Sequence, residues 1–144
     1  MTSPWRLRAR TAEAAAALVA ARVLVAAVPF GQWQQLLGRP VDPKATPEPV
    51  GTGLVRARQC ARHVDRAAGR LPGEFKCLPR AAALQFMLRR RKIRATVMMG
   101  VLPAQQRGTL DDLHAWVLFG NEILIGGSLD GHHAVFALQG IWHD

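Results

Sequence analysis

Cysteine is scarce in this chain: Cys60 and Cys77 are its only thiols among 144 residues. Small secreted domains that depend on disulfides use more, so two cysteines argue against a disulfide framework and for a reducing, cytoplasmic setting. Two thiols cannot make a four-ligand zinc site alone, and His63, His132, His133 and His143 do not stand at zinc-finger spacing. No metal and no cofactor is therefore expected. Long apolar runs are missing too. Ala12–Val28 is mostly apolar and follows a basic start, but Glu13 and Arg22 interrupt it, and no cleavage site follows before Pro29-Phe30. It is also shorter than a membrane span requires. The segment reads better as an alanine-rich amphipathic helix with Leu18, Val25 and Val28 on its inward side.

Acidic residues are few. Ten Asp and Glu stand against nineteen Lys and Arg, a formal net charge of +9, which suggests an acidic partner or surface. Arg58, Arg62, Arg66 and Arg70 recur every fourth residue, which stacks them on one helix face. Arg89-Arg90-Arg91-Lys92, with Arg94, falls where a helix should end and positive charge suits its dipole. Both runs can be solvated surface. Aromatics interleaved with the charges, or a groove-reading motif, would argue for nucleic acid; neither is present, so an acidic peptide or protein is favoured.

The remaining pattern fits one domain with no internal repeat. Residues 1–40 form an N-terminal helical arm of that domain, and Val41–Thr52, with three prolines and a glycine, is a loop leading to the core at 53–144. Leu54, Ala57, Ala61, Val64 and Ala68 have helical spacing. A second helix should run from about Leu78 to Arg91, buried through Ala81, Leu84, Leu88 and Phe86, with Pro79 tolerated in its first turn. Strands follow at Ile93–Leu102, His114–Phe119, Glu122–Ile125 and Ala134–Leu138, with Gly120-Asn121 as a hairpin turn. Helices first and strands afterwards predict an α+β domain, helices packed on a small antiparallel sheet.

Two short motifs carry chemistry. Cys77-Leu78-Pro79-Arg80 puts a thiol at the start of the second helix, where unpaired N–H groups favour a thiolate. His114-Ala115-Trp116-Val117 opens a strand with a general base. Pairing across the Gly120-Asn121 turn would set Gly127 opposite His114, with Gly126 and Ser128 alongside, none of them a carboxylate. A bulge at Gly126-Gly127 would bring Asp130 back to the imidazole; Asp111 and Asp112 are carried away by the strand direction. Trp116 shares the His114 face and either lines a cleft or fills the core. Cys60, inside a helix, reads as buried and inert.

Taken together, CLPRAAALQFMLRRRKIRATVMMGV, a loop, and HAWV with the apolar strand after it resemble the leader peptidase of lasso-peptide biosynthesis, a transglutaminase-like, papain-related cysteine protease family. The similarity runs from about residue 74 to 127, and AEAAAALVAARVLVAAVPF resembles the helical lead-in of the family's stand-alone form. The resemblance implies that Cys77 attacks the carbonyl at the leader–core junction of a precursor peptide. His114 would serve as base and then acid, and the Cys77 N–H would help form an oxyanion hole. Asp130 is the choice for the third position, although the usual carboxylate is not where the family pattern would put it. It also implies a separate leader-recognition protein, docked through the Arg58/Arg62/Arg66 face or the N-terminal helix, and an ATP-dependent lasso cyclase as a further partner. Two other readings stay open: a transglutaminase-like acyltransferase using the same pair, and a non-enzymatic basic module for acidic peptide or nucleic acid.

Overall fold

A computed structural model describes residues 4–42, 53–73, 77–101, 113–120, 122–126 and 133–140. The first helix, α1 (Pro4–Ala27), packs against both α3 (Leu54–Arg70) and α4 (Cys77–Arg90). Its inward line is Ala14, Leu18 and Ala21, fully buried, continued by the half-buried Leu24 and Val28. Val25, expected to face inward, is 40% exposed, because Leu24 takes its place on that line. Among the described residues no helix is long and apolar enough to cross a membrane.

After α1 the chain folds back through α2 (Phe30–Trp33) and a 3-10 turn (Gln34–Leu36) into β1 (Arg39–Val41). Trp33 anchors this return: it is buried, its Nε1 donates to the Val28 carbonyl at 3.2 Å, and its ring meets Phe30 edge-on. The strand β1 is a correction to the loop expected from Val41 onward, since Val41 pairs with Ala137. The remaining loop residues, 43–52, lie outside the described set.

Helix α3 buries the expected Ala57, Ala61, Val64 and Ala68, and also Cys60, His63 and Ala67. Helix α4 buries Ala81, Leu84 and Leu88, so truncating either leucine to alanine should destabilise by about 2–5 kcal/mol. Phe86 is half-buried; the fully buried neighbour is Gln85, whose Nε2 donates to the carbonyls of Leu37 and Ala95 at 2.7 and 3.0 Å. That amide ties α4 to the arm on one side and to the coming strand on the other. Lys92, with φ +58°, ends the helix in a left-handed turn, and the Ile93 N–H reaches back to the Leu88 carbonyl.

The basic cluster at this end works partly inward. Arg91 makes a two-pronged pair with Glu13 of α1, at 2.7 and 2.8 Å, and Arg89 donates to the carbonyls of Gln35 and Leu36. Guanidinium forks suit such pairs because two parallel bonds fix orientation as well as charge.

The remaining strands are β2 (Thr96–Val101), β3 (Leu113–Phe119), β4 (Glu122–Ile125) and β5 (His133–Gln139). They form one antiparallel sheet in the order β1-β5-β2-β3-β4. Alternation splits its residues cleanly. Val97, Met99, Ala115, Val117 and Phe119 join the core under the helices, while Met98, Trp116 and Ala137 form a second cluster on the other face. The architecture is the α+β one the sequence implied.

Candidate active site

Three contacts define which ends of the elements meet. A short turn joins the end of α4 to the start of β2, so β2 runs back along α4 and ends, at Val101, beside the helix N-terminus. Gly100 pairs with His114 and Val101 with Leu113, which brings the start of β3 to that same end. Asp65, late in α3, is 3.5 Å from Arg80, in the first turn of α4, so α3 and α4 run antiparallel. Cys77 and His114 therefore share one end of the domain; α4 packs on the Ala115 and Val117 face of β3, whereas His114 stacks with Trp116 on the other face. No described contact joins their side chains.

Cys77 is the first residue of α4, half-buried against the main core. The helix can start there because Pro79, buried two residues on, lacks an N–H that would have had no partner in a first turn. Cys77 thus belongs to a first turn whose backbone N–H groups have no intrahelical acceptor.

His114 is held from two sides. Its Nε2 lies 2.9 Å from the carbonyl oxygen of Gly126, and its ring stacks on Trp116 with centroids 5.7 Å apart and planes at 26°. A carbonyl only accepts, so the bond places the proton on Nε2 and leaves the lone pair of the neutral ring on Nδ1. Trp116 both stacks and is buried, in the cluster on the sheet's outer face.

Gly126 reaches that position by a backbone that other residues resist. Its φ is +84°, and a Cβ there would lie 2.7 Å from the Ala115 carbonyl oxygen and 2.8 Å from the Trp116 Cβ. Phe119 lies opposite Glu122, so β3 and β4 pair as a hairpin; Asn121, expected in its turn, lies outside the described residues. The register then slips: Leu118 faces Ile123, but Val117 faces Ile125, so Leu124 is the extra residue. That bulge lies within β4; the one expected at Gly126-Gly127 falls at the edge of the described residues, with Gly127 outside them. Asp130, Asp111, Asp112, Gly127 and Ser128 lie outside the described residues. A main-chain carbonyl, that of Gly126, thus contacts His114, and its mark in the sequence is the Gly-Gly pair after β4.

The other thiol has a different setting. Cys60 is 4% exposed in the middle of α3, and burial pushes its thiol up from the usual range. His63, one turn on, is buried as well, 3.2 Å from the Thr11 hydroxyl. Burial, and then the neighbouring Arg66, Arg10 and Arg91, hold its imidazole below the ordinary histidine range. Among the described residues no group of three His, Cys, Asp or Glu is placed to hold a metal ion.

A sequence profile of the transglutaminase-like superfamily matches residues 14–137. The chain belongs to that superfamily. The match begins inside α1 and ends in β5, so it takes in the arm as well as the helix and strands that carry Cys77 and His114. No curated protein and no solved structure matched the chain. Transglutaminase-like proteins are typically cysteine-dependent enzymes, and both cysteine proteases and acyltransferases occur among them.

Proposed function

We propose that this transglutaminase-like protein is a cysteine peptidase that removes the leader from a ribosomally made lasso-peptide precursor. What supports it most is that Cys77 opens α4 while His114, at the matching end of β3, has its Nε2 committed to Gly126, so that Nδ1 is left as the base. The Cys77-Leu78-Pro79-Arg80 and His114-Ala115-Trp116-Val117 motifs, and the alanine-rich α1 before them, support the leader-removing subtype.

In this reading His114 takes the thiol proton and the Cys77 sulfur attacks the carbonyl at the leader–core junction. The tetrahedral oxyanion is met by the N–H at the start of α4. The imidazolium then gives its proton to the leaving amine, releasing the core with a free N-terminus and leaving the leader as a thioester on Cys77. Water, deprotonated by His114, adds to the thioester; the sulfur leaves as thiol and the leader as a carboxylic acid. The Gly126 carbonyl holds the ring and steadies its protonated form, a part that carboxylates fill in other triads. We assign it that part ahead of Asp130.

A domain this small has little surface to order a flexible leader, and ordering one lowers affinity. We therefore include a separate leader-recognition protein, with an ATP-dependent cyclase acting on the released core. Acid-quenched intact mass spectrometry tests the chemistry: wild-type protein mixed with precursor should carry a leader-sized adduct on Cys77, and a shortened core with a new free N-terminus should accumulate. Leader joined to an added amine, in place of free leader, would instead mark an acyltransferase.

A further inference from the structure

The arginine row of α3 divides in two. Arg58 is bound to Glu122 of β4 by both prongs of its guanidinium, so it closes the α3–β4 contact. Arg62, Arg66 and Arg70 are exposed, and among the described residues they make no ion pair. The row runs toward the reactive end, because Asp65, between Arg62 and Arg66, faces Arg80 in the first turn of α4. Beyond Arg70 only six residues separate α3 from Cys77.

We propose that Arg62, Arg66 and Arg70 seat an acidic stretch of the same polypeptide whose bond Cys77 cleaves. Successive arginines are about 6 Å apart along the helix axis. Alternate side chains of an extended peptide are about 6.7 Å apart, so carboxylates at every second position meet the row in register. The peptide is then aligned with the end of the domain that holds Cys77 and His114. Nucleic acid could also answer the charge, but among the described residues no aromatic stands exposed beside the row for bases to stack on. The inference rests on the peptidase reading and names the feature of its substrate that the domain itself recognises.

The test uses the whole chain and three labelled probes: (Glu-Ala)4, (Gln-Ala)4 and an eight-nucleotide oligothymidylate. Anisotropy gives binding, and mass spectrometry gives the rate of Cys77 alkylation by iodoacetamide. Arg62→Gln/Arg66→Gln/Arg70→Gln is compared with Arg8→Gln/Arg39→Gln/Arg56→Gln, which removes the same charge elsewhere. At about twofold per exposed pair, the row variant should bind (Glu-Ala)4 about tenfold more weakly, and the control about twofold at most. Bound (Glu-Ala)4 should slow Cys77 alkylation in wild type and control but not in the row variant. Equal losses in both variants, or tighter row-dependent binding of the oligonucleotide, would overturn the proposal. Neither readout needs catalysis, so leader removal by a Cys77→Ala variant would refute the peptidase reading separately.

Discussion

Cys60 and Cys77 lie on neighbouring antiparallel helices, and each has a histidine in its part of the fold, yet their surroundings differ. Cys60 sits mid-helix, where every nearby N–H is spent on the helix ladder, and burial favours its neutral thiol. Its neighbour His63 is likewise pressed toward the neutral form, in a polar seam with Thr11, Glu13 and Arg91 that fastens α1 to α3 and α4. Cys77 begins its helix, stays partly exposed, and shares its end of the sheet with a histidine whose proton is positioned by a carbonyl. The same two side chains make a structural seam at one place and a candidate catalytic pair at another. Position on the helix, not residue type, separates them.

The largest effect that would break this comparison comes from exchanging its histidines. His114→Ala should lower kcat/KM for precursor cleavage by about 10²–10⁴-fold, the usual worth of a general base. His63→Gln should stay within about threefold of wild type, since His63 touches the α1 seam and not the reactive end. Steady-state cleavage assays on both variants decide it.

Next in size is the carbonyl that orients His114. Gly126→Ala must either leave its left-handed backbone or drive a Cβ into Ala115 and Trp116. It should destabilise by about 1–3 kcal/mol. Turnover should fall by about 10–100-fold, a loss of ring orientation. Asp130→Asn should stay within about threefold by the same assay, whereas an orienting aspartate would lose orders of magnitude. A severe Asp130→Asn with a mild Gly126→Ala would move the third position to Asp130.

The seam should reveal itself in the pH dependence of stability. Folding holds both His63 and Glu13 below their ordinary ranges, His63 through burial first and Glu13 through its hydrogen bond to Arg91 first. In each case the unfolded chain takes up the proton before the folded one. The stability tied to His63 is thus whole above about pH 6.5 and lost as pH falls toward its lower folded value, and that of Glu13 begins to fall below about pH 4.5. Urea midpoints measured from pH 7.5 to about 3 should decline in two stages. His63→Gln should flatten the upper one and Glu13→Gln the lower one.

The smallest effect belongs to Cys60. Cys60→Ala should keep cleavage near wild type and destabilise by about 1 kcal/mol, and native Cys60 should resist alkylation under conditions that modify Cys77.

What the sequence revealed follows from how strongly each segment is marked. Helix α4 and strands β2–β5 were legible because turn residues and a basic cluster bound their apolar patterns. Thr96–Val101 and His133–Gln139 differ from expectation only at their ends. Val25 was misplaced because α1 is apolar on all sides: Val19, Val23 and Val25 are exposed while small alanines are buried. The strand β1 has three residues, one of them proline, too short for any period to show. Gln85 hid as a polar residue in a core position, where it serves two carbonyls. At the site, Cys77 and His114 could be chosen from their flanking residues, but the Leu124 bulge could not, because an apolar strand carries no mark of where it slips. The Gly126 carbonyl is backbone, and sequence motifs name side chains.

Whether Cys77 is the nucleophile of the proposed leader peptidase is decided most directly by one measurement. Precursor, with its leader-recognition protein, is incubated with wild type, Cys77→Ala and Cys60→Ala, and products are read by mass spectrometry alongside circular dichroism of each variant. The account predicts separated leader and core with wild type and Cys60→Ala, and intact precursor only with a folded Cys77→Ala. Full processing by Cys77→Ala would contradict it.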